Sequence, residues 1–205
     1  MTPEKVLSYS PQVLTQAQRE DYFENGYIKV ENLIPEETLI ELQGVIAKVL
    51  DESRKETKSG SIFDLGPGHS SEIPVLRRLK KPDDYDEVFW NFASGLIADV
   101  AADLAGLDVV FHHSKLNFKW NDGNDDVKWH QDVQFFPHTN YNVFTIGCYL
   151  NDTGMKNGPL GVIPGSHQEK LYDLYHGEDW TGCLNDADTD SLSMKVVEYL
   201  TGGAG

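Results

Sequence analysis

Hydrophobic side chains in the first half of the chain recur every three or four residues, which is the period of an amphipathic helix. The spacing predicts three helices, over residues 15–24, 35–56 and 85–106. Thr15 is a suitable N-cap and Gly26 a suitable end for the first helix, while Pro35 fits the first turn of the second. The first half is therefore expected to be mainly helical.

After Gly106 the pattern changes from helical to alternating. In residues 110–120, His113, Lys115, Asn117 and Lys119 fall on one face of a predicted strand. Further strands are predicted at residues 27–30, 127–136, 142–150, 158–164 and 194–200, and a loop at residues 59–71. Helices followed by strands predict an α+β fold, with a helical layer outside an antiparallel β core such as a jelly roll.

Length and composition narrow this prediction. The 205 residues suit one domain over residues 1–205, with a helical part at 1–106 and a β part at 107–205. The formal net charge of −16 argues against nucleic acid as a partner, because phosphate binding needs a basic surface. No apolar run reaches the length of a membrane span and no secretory signal begins the chain, so a cytoplasmic protein is expected. The two cysteines, Cys148 and Cys183, are expected to be free thiols.

A candidate metal site lies in the stretch "VKWHQDVQFFPH". On a strand, His130 and Asp132 would project to one face and Gln131 to the other. A facial set of two histidines and one carboxylate suits non-haem Fe(II), because it leaves coordination positions open. His-x-Asp also occurs as a plain hydrogen-bonded pair at a strand end, and the spacing leaves both interpretations open.

The segments "HHSKLNFKW", "WHQD" and "NGPLGVIPGSH", in this order, resemble the phytanoyl-CoA dioxygenase family of Fe(II)- and 2-oxoglutarate-dependent oxygenases. The resemblance extends to "FENGYIKVENLIPEETLIEL" and "VFWNFA", and so covers most of the chain. It implies a double-stranded β-helix (jelly roll) core flanked by N-terminal helices. It also implies Fe(II) as cofactor, 2-oxoglutarate and O2 as cosubstrates, and a small-molecule substrate hydroxylated with release of succinate and CO2.

The resemblance assigns roles to individual residues. It makes His130 and Asp132 the first two iron ligands and the catalytic pair, and the retained carboxylate favours hydroxylation over halogenation. The positions that it matches to cosubstrate contact are Lys119, Asn117, Arg78 and Gln131. His113 and Gln134 are candidates for contact with substrate. For each of these six residues a solvated or structural role is the alternative.

Other features are expected to be mainly structural. His167, in "PGSH", is expected in a turn and not as a metal ligand. Four aromatic residues near the site could form the wall of an apolar substrate pocket or belong to the core: Trp129, Phe135, Phe136 and Tyr149.

The family pattern also includes a later histidine ligand and an arginine that anchors 2-oxoglutarate, and neither is found before "VVEYLTGGAG". His138, His167 and His176 fall in predicted turns. The expectation is that the chain lacks the family's C-terminal part, and that these 205 residues alone bind Fe(II) poorly. The alternative is a catalytically inactive jelly-roll binding or scaffold protein. A cupin-type isomerase would explain His-x-Asp but not the flanking motifs.

Overall fold

The computed structural model describes residues 1–120, 127–136 and 142–205. Helices predominate in its first half and short antiparallel strands in its second. The α-helices are α1 (Pro3–Leu7), α2 (Gln16–Asn25), α3 (Glu36–Ser53), α4 (Pro82–Tyr85), α5 (Glu87–Ser94), α6 (Leu96–Ala105) and α7 (Asp186–Ser193). The strands are β1 (Phe63–Leu65), β2 (Leu76–Lys80), β3 (Lys115–Asn117), β4 (Leu160–Val162), β5 (Tyr175–His176), β6 (Asp179–Trp180) and β7 (Glu198–Leu200).

The first two predicted helices are confirmed as α2 and α3. Thr15 and Gln18 form a capping box at the start of α2, and Gly26 ends it in the left-handed conformation at φ +81°. Helix α3 begins directly after Pro35 and buries Leu42, Val45 and Val49 on one face. Local signals in the sequence therefore fix both ends of α2 and the start of α3.

The third predicted helix, over residues 85–106, is two helices that break at Gly95. The backbone of Gly95 (φ −97°, ψ −110°) leaves the helical region, and a β-carbon there would lie 2.9 Å from the Asn91 carbonyl oxygen. By length and apolar composition Glu87–Ala105 could cross a membrane, with a mean hydropathy of 1.2. The break divides it into helices of eight and ten residues, each shorter than the roughly 20 residues that a span needs.

Strands β1, β2 and β3 form an antiparallel sheet in that order, with Arg78 opposite both Asp64 and Asn117. Strand β1 lies inside residues 59–71, so the prediction of a loop there is wrong in part. One face of the sheet packs Phe63, Leu76 and Leu79 against α3 and α5. This packing leaves the other face of β3 to polar side chains.

The second half is less regular than the sequence predicts. The structure describes residues 27–30 and 142–150, and neither segment forms a strand. Residues 110–120 form a strand only at β3, and residues 158–164 and 194–200 only at β4 and β7, which pair antiparallel. Alternating apolar and polar residues indicate that one side of a segment is buried, whereas a strand also needs a hydrogen-bonded neighbour. The described residues thus form antiparallel sheets of two and three strands, and a continuous jelly-roll sheet stays a prediction.

A buried polar network holds the N-terminal segment on α6. The carboxylate of Asp103 accepts hydrogen bonds from the backbone N–H groups of residues 12–14 at 2.7–2.8 Å. Arg19 is 1% exposed and donates to the carbonyl oxygens of Asp103, Tyr9 and Val6. Because the Asp103 carboxylate and the Arg19 guanidinium are buried, both depend on these partners for hydrogen bonding.

We expect Asp103→Asn to lower the free energy of unfolding by about 2–4 kcal/mol, since the new amide would turn a donor toward buried backbone donors. Urea denaturation measures the change. Asp99→Asn, at an exposed site in the first turn of the same helix, is the control and should cost less than about 1 kcal/mol. Equal effects of the two changes would contradict the role given to the Asp103 carboxylate.

Candidate metal centre

His130 and Asp132 do converge, although the predicted strand over residues 127–136 is wrong. The backbone instead forms a 3-10 helix at Asp132–Phe135. His130 Nε2 lies 3.1 Å from Asp132 Oδ1. The turn of the backbone, and not the pleat of a strand, brings the imidazole and the carboxylate together.

Both nitrogens of the His130 ring face hydrogen-bond acceptors. Nδ1 lies 2.7 Å from the carbonyl oxygen of Lys128, and Nε2 faces the Asp132 carboxylate. A carbonyl oxygen and an ionised carboxylate can only accept, so the ring satisfies both as an imidazolium or with a cation in place of the Nε2 proton. The Nδ1 contact is the one that metal-ligating histidines usually make through their second nitrogen.

Titration of the two groups is coupled. A hydrogen bond from His130 lowers the pKa of Asp132 to about 2, and a hydrogen bond from Thr145 and the charges of His130 and Lys115 act in the same direction. The hydrogen bond to Asp132 raises the pKa of His130 above its usual range, against the effect of burial. At neutral pH the site therefore presents an ionised carboxylate next to a histidine whose protonated form that carboxylate stabilises.

The donor distance fits a single metal ion. Metal bonds to imidazole nitrogen and carboxylate oxygen are about 2.0–2.2 Å long, and two such bonds at a right angle place the donor atoms about 3 Å apart. The 3.1 Å between His130 Nε2 and Asp132 Oδ1 matches that separation. Within residues 1–120, 127–136 and 142–205, no group of three or more His, Cys, Asp or Glu side chains converges on one point. The described part of the chain therefore brings together two candidate donors, His130 and Asp132.

The predicted polar face of β3 is confirmed. Leu116 and Phe118 pack on the core, so Lys115 and Asn117 project to the opposite side, where Arg78 Nε donates to Asn117 Oδ1 at 3.1 Å. The Lys115 charge bears on both His130 and Asp132. The structure thus joins two of the residues predicted to contact cosubstrate, Arg78 and Asn117, on one face.

Lys119 lies farther along the chain, near the turn at Gly158, where a β-carbon would be 3.9 Å from Lys119 Cδ. This places it beside the segment "NGPL", in which the 3-10 helix Met155–Asn157 leads into β4. Its predicted contact with cosubstrate is neither contradicted nor confirmed by this position.

The side chains of Gln131 and Gln134 attach the 3-10 helix to residues 170–172. Gln131 Oε1 accepts from the backbone N–H of Tyr172 at 2.8 Å, and Gln134 Nε2 donates to the Tyr172 carbonyl at 2.8 Å. Gln131 Nε2 also donates to the carbonyl of Lys170 at 3.2 Å. In this structure both amides therefore hold the turn that carries Asp132 in place.

His113 forms a close pair with His112. Their Nδ1 atoms lie 2.7 Å apart, and the ring of Phe136 lies beside both, with centroids at 4.9 Å and 5.1 Å. Burial lowers the pKa of His113, as do the charges of His112 and Lys115, while Asp83 and Asp132 oppose them. His113 thus lies close enough to Asp132 for the carboxylate charge to act on it.

A row of aromatic rings leads away from His130. Phe135 meets the His130 ring edge to face at 5.5 Å, and Trp180 and Tyr175 of the β5–β6 hairpin extend the row. Phe135 rests against Gly182, where a β-carbon would lie 3.0 Å from the ring. All three side chains are 41–46% exposed, so this row lies at the surface beside the candidate ligands and not in the core.

The other histidines have separate roles. His167 Nε2 lies 3.3 Å from the Phe23 carbonyl oxygen, and the ring covers Gly26, where a β-carbon would be 2.2 Å from Nδ1. His167 thus sits in the 3-10 turn Ser166–Gln168 at the end of α2, as its predicted structural role requires. His176 contacts the Leu184 carbonyl at 3.2 Å. His138 lies outside the described residues.

Sequence reasoning missed three residues that border the site. Thr145 Oγ1 donates to Asp132 Oδ2 at 2.6 Å, Lys115 contributes charge, and Trp180 continues the aromatic row. The alternating pattern of residues 110–120 places Lys115 on the same face as His113 and Asn117. Lys115 could therefore have been predicted from the sequence. Thr145 and Trp180 are 13 and 48 residues from Asp132 and carry no local signal of proximity.

Comparison with known proteins places these features in a family. The family model described as phytanoyl-CoA dioxygenase (PhyH) matches residues 22–197. A probable alpha-ketoglutarate-dependent hypophosphite dioxygenase of Stutzerimonas stutzeri is 32% identical over 92% of this chain and 67% of its own length. An ectoine dioxygenase of Sphingopyxis alaskensis is 26% identical over 85% of this chain and 54% of its own length. The chain thus spans between about half and two thirds of these relatives.

The fold is shared with a solved structure. The crystal structure of EctD from S. alaskensis with 2-oxoglutarate and 5-hydroxyectoine superimposes with a TM-score of 0.72 and 20% identity, over 100% of this chain and 70% of that one.

We expect His130 of the metal-free protein to titrate above the ordinary histidine value of about 6.5, and Asp132→Asn to bring its pKa down, because the opposing charge is lost and burial remains. Histidine ring NMR over a pH series measures both. Asp99→Asn should leave the His130 titration unchanged. An unaltered His130 pKa in Asp132→Asn would contradict the pairing.

The same shifts define a stability window. The raised His130 pKa stabilises the metal-free fold below about pH 6.5, and the lowered Asp132 pKa stabilises it above about pH 3.9. Between these two pH values the His130–Asp132 pair makes its full contribution to the free energy of unfolding. The contribution is lost as the pH falls toward 2 or rises through the His130 pKa, and it should vanish from the stability profile of Asp132→Asn.

Proposed function

The chain belongs to the phytanoyl-CoA dioxygenase family, and from this membership we propose that it hydroxylates a small organic substrate as an Fe(II)- and 2-oxoglutarate-dependent dioxygenase, releasing succinate and CO2. The observation that carries the proposal is the 3.1 Å separation of His130 Nε2 and Asp132 Oδ1 in a site where Nδ1 is already committed to the Lys128 carbonyl. The carboxylate donor favours hydroxylation over halogenation.

His130 and Asp132 would hold the iron. The Lys128 carbonyl would keep a proton on His130 Nδ1 and so leave Nε2 as the nitrogen available to hold the metal. Asp132 stays ionised over the physiological range because its pKa is about 2, and it supplies negative charge without competition from protons. Bound Fe(II) together with 2-oxoglutarate supplies the activation of O2 that hydroxylation requires.

The polar face of β3 is the proposed cosubstrate side. Lys119, Asn117 and Arg78 would meet 2-oxoglutarate, which carries two carboxylates and is matched by cationic and amide donors. The Arg78–Asn117 hydrogen bond supports this, since it orients both side chains on one face. Gln131 would reach cosubstrate only by giving up its contacts with residues 170–172.

The substrate would lie between the histidine pair and the aromatic row. His113 is the proposed polar contact, and Gln134 a second one next to the metal-binding turn. Phe135 and Trp180 present partly exposed ring surface beside His130, as a wall for an apolar part of the substrate would require. The two relatives are named for substrates as different as hypophosphite and ectoine, so the side chains around the metal must decide substrate identity.

Three structural expectations accompany this function. We propose that the strands belong to a jelly-roll core, supported by the superposition on EctD. We propose that residues 1–205 form one domain, because the family match runs across both the helical and the β part. A cytoplasmic location is also proposed, and the free thiols of Cys148 and Cys183 are compatible with it.

In the complete protein, we expect Asp132→Ala to weaken Fe(II) binding and Fe(II)-dependent succinate formation by more than about 100-fold, because the loss of a charged ligand costs more than the 10- to 100-fold typical of its outer partners. Anaerobic calorimetry with Fe(II) and a succinate assay with a panel of small metabolites measure the two effects. Asp99→Asn is the control. Wild-type turnover by Asp132→Ala would overturn the ligand assignment.

We expect Lys119→Ala to raise the KM for 2-oxoglutarate by about 10- to 100-fold, the equivalent of one lost charge-assisted hydrogen bond of about 1.5–3 kcal/mol. Lys48→Ala, at an exposed position of α3, should leave the KM unchanged. If Lys115→Ala raises the KM and Lys119→Ala does not, the cosubstrate contact belongs to Lys115 and the proposed role of Lys119 is wrong.

A further inference from the structure

The two oxygens of the Asp132 carboxylate have different surroundings. Oδ1 lies 3.1 Å from His130 Nε2 and is the oxygen placed for a shared metal ion. Oδ2 accepts a hydrogen bond from the hydroxyl of Thr145 at 2.6 Å. That distance is in the range of a hydroxyl bonded to an ionised carboxylate, which is among the stronger hydrogen bonds in proteins. One oxygen is thus directed to the ligand position and the other is held away from it.

Packing on both sides determines where Thr145 points. Its neighbours Phe144 and Ile146 contact the hydrophobic cluster formed by Leu14, Val100 and Leu104. Thr145, between them, is exposed, and its hydroxyl points to Asp132. Threonine is also stiff about χ1, so little conformational entropy is lost when its hydroxyl is directed. The hydroxyl is anchored by the core although it lies at the surface itself.

We propose that Thr145 is a positioning residue that orients the Asp132 carboxylate, with Oδ1 toward the metal and Oδ2 away from it. This inference rests on the proposed function. A carboxylate free to rotate would have to be ordered when the metal binds, which lowers affinity, and it would also be free to turn Oδ2 toward a second coordination position. The open facial arrangement depends on vacant positions for cosubstrate and oxygen, so a hydrogen bond that removes Oδ2 from the metal preserves them. Thr145 acts through Asp132 and touches neither metal nor substrate.

If Thr145 only stabilised the fold, loss of its hydroxyl would lower Tm and leave metal binding unchanged. Thr145 is exposed, so water can replace its hydroxyl, and the net contribution of the hydrogen bond to folding is small. Loss of the hydroxyl should therefore leave Tm nearly unchanged while it alters metal binding. Partners that orient metal ligands typically contribute 10- to 100-fold to metal affinity.

The test compares Co(II) binding in three variants, measured by calorimetry on the complete, metal-free protein. Thr145→Val removes the hydroxyl at nearly constant shape and should weaken Co(II) binding by about 10- to 100-fold. Thr145→Ser keeps the hydroxyl and should bind close to the wild type. Thr153→Val removes a threonine hydroxyl that donates to the Asn151 carbonyl at 3.1 Å, away from the site, and should have no effect.

A double variant shows whether Thr145 acts through Asp132. In an Asp132→Ala background, Thr145→Val should cause no further loss of Co(II) affinity. Additive losses would overturn the inference, as would equal weakening by Thr145→Val and Thr145→Ser, or no weakening by Thr145→Val. If Asp132→Ala itself binds Co(II) like the wild type, the ligand assignment in the proposed function fails, and that outcome is separate from a failure of Thr145 alone.

Discussion

The two-sided character of β3 is the constraint on which the candidate site depends. Leu116 must face the core formed by α3, α5 and the buried side chains of β1 and β2, so Lys115 and Asn117 must face the other way. The pairing with β2 adds Arg78 to that polar face through its hydrogen bond with Asn117. Burial of the apolar side chains of β3 therefore determines where its polar side chains point.

The site differs in charge from the molecule as a whole. The chain carries a formal net charge of −16, yet Lys115 and His130 both lie close enough to Asp132 for their charges to act on it. A dicarboxylate approaching the protein meets an overall repulsive field that these two side chains offset locally. Such an arrangement makes binding of a small anion depend on short-range contacts more than on long-range attraction.

The sequence predicted the features that arise from neighbouring residues. The capping box of α2, the start of α3 and the polar face of β3 each follow from signals within a few positions, and the structure confirms them. The pairing of His130 with Asp132 was also expected, but for a wrong reason, since a 3-10 turn replaces the strand. The division of the third helix at Gly95 was missed because helical periodicity continues across that glycine. Thr145 was missed because only the tertiary fold brings it to Asp132.

The contact between Gly26 and His167 ties the two halves of the chain together. A glycine in the left-handed conformation ends the first long N-terminal helix, and the imidazole from the "PGSH" turn occupies the space that any side chain at position 26 would need. A side chain at position 26 would meet His167 as well as a backbone conformation that favours glycine. A chimera that joins the N-terminal helices of one family member to the β part of this chain would therefore need glycine at position 26 to accept His167.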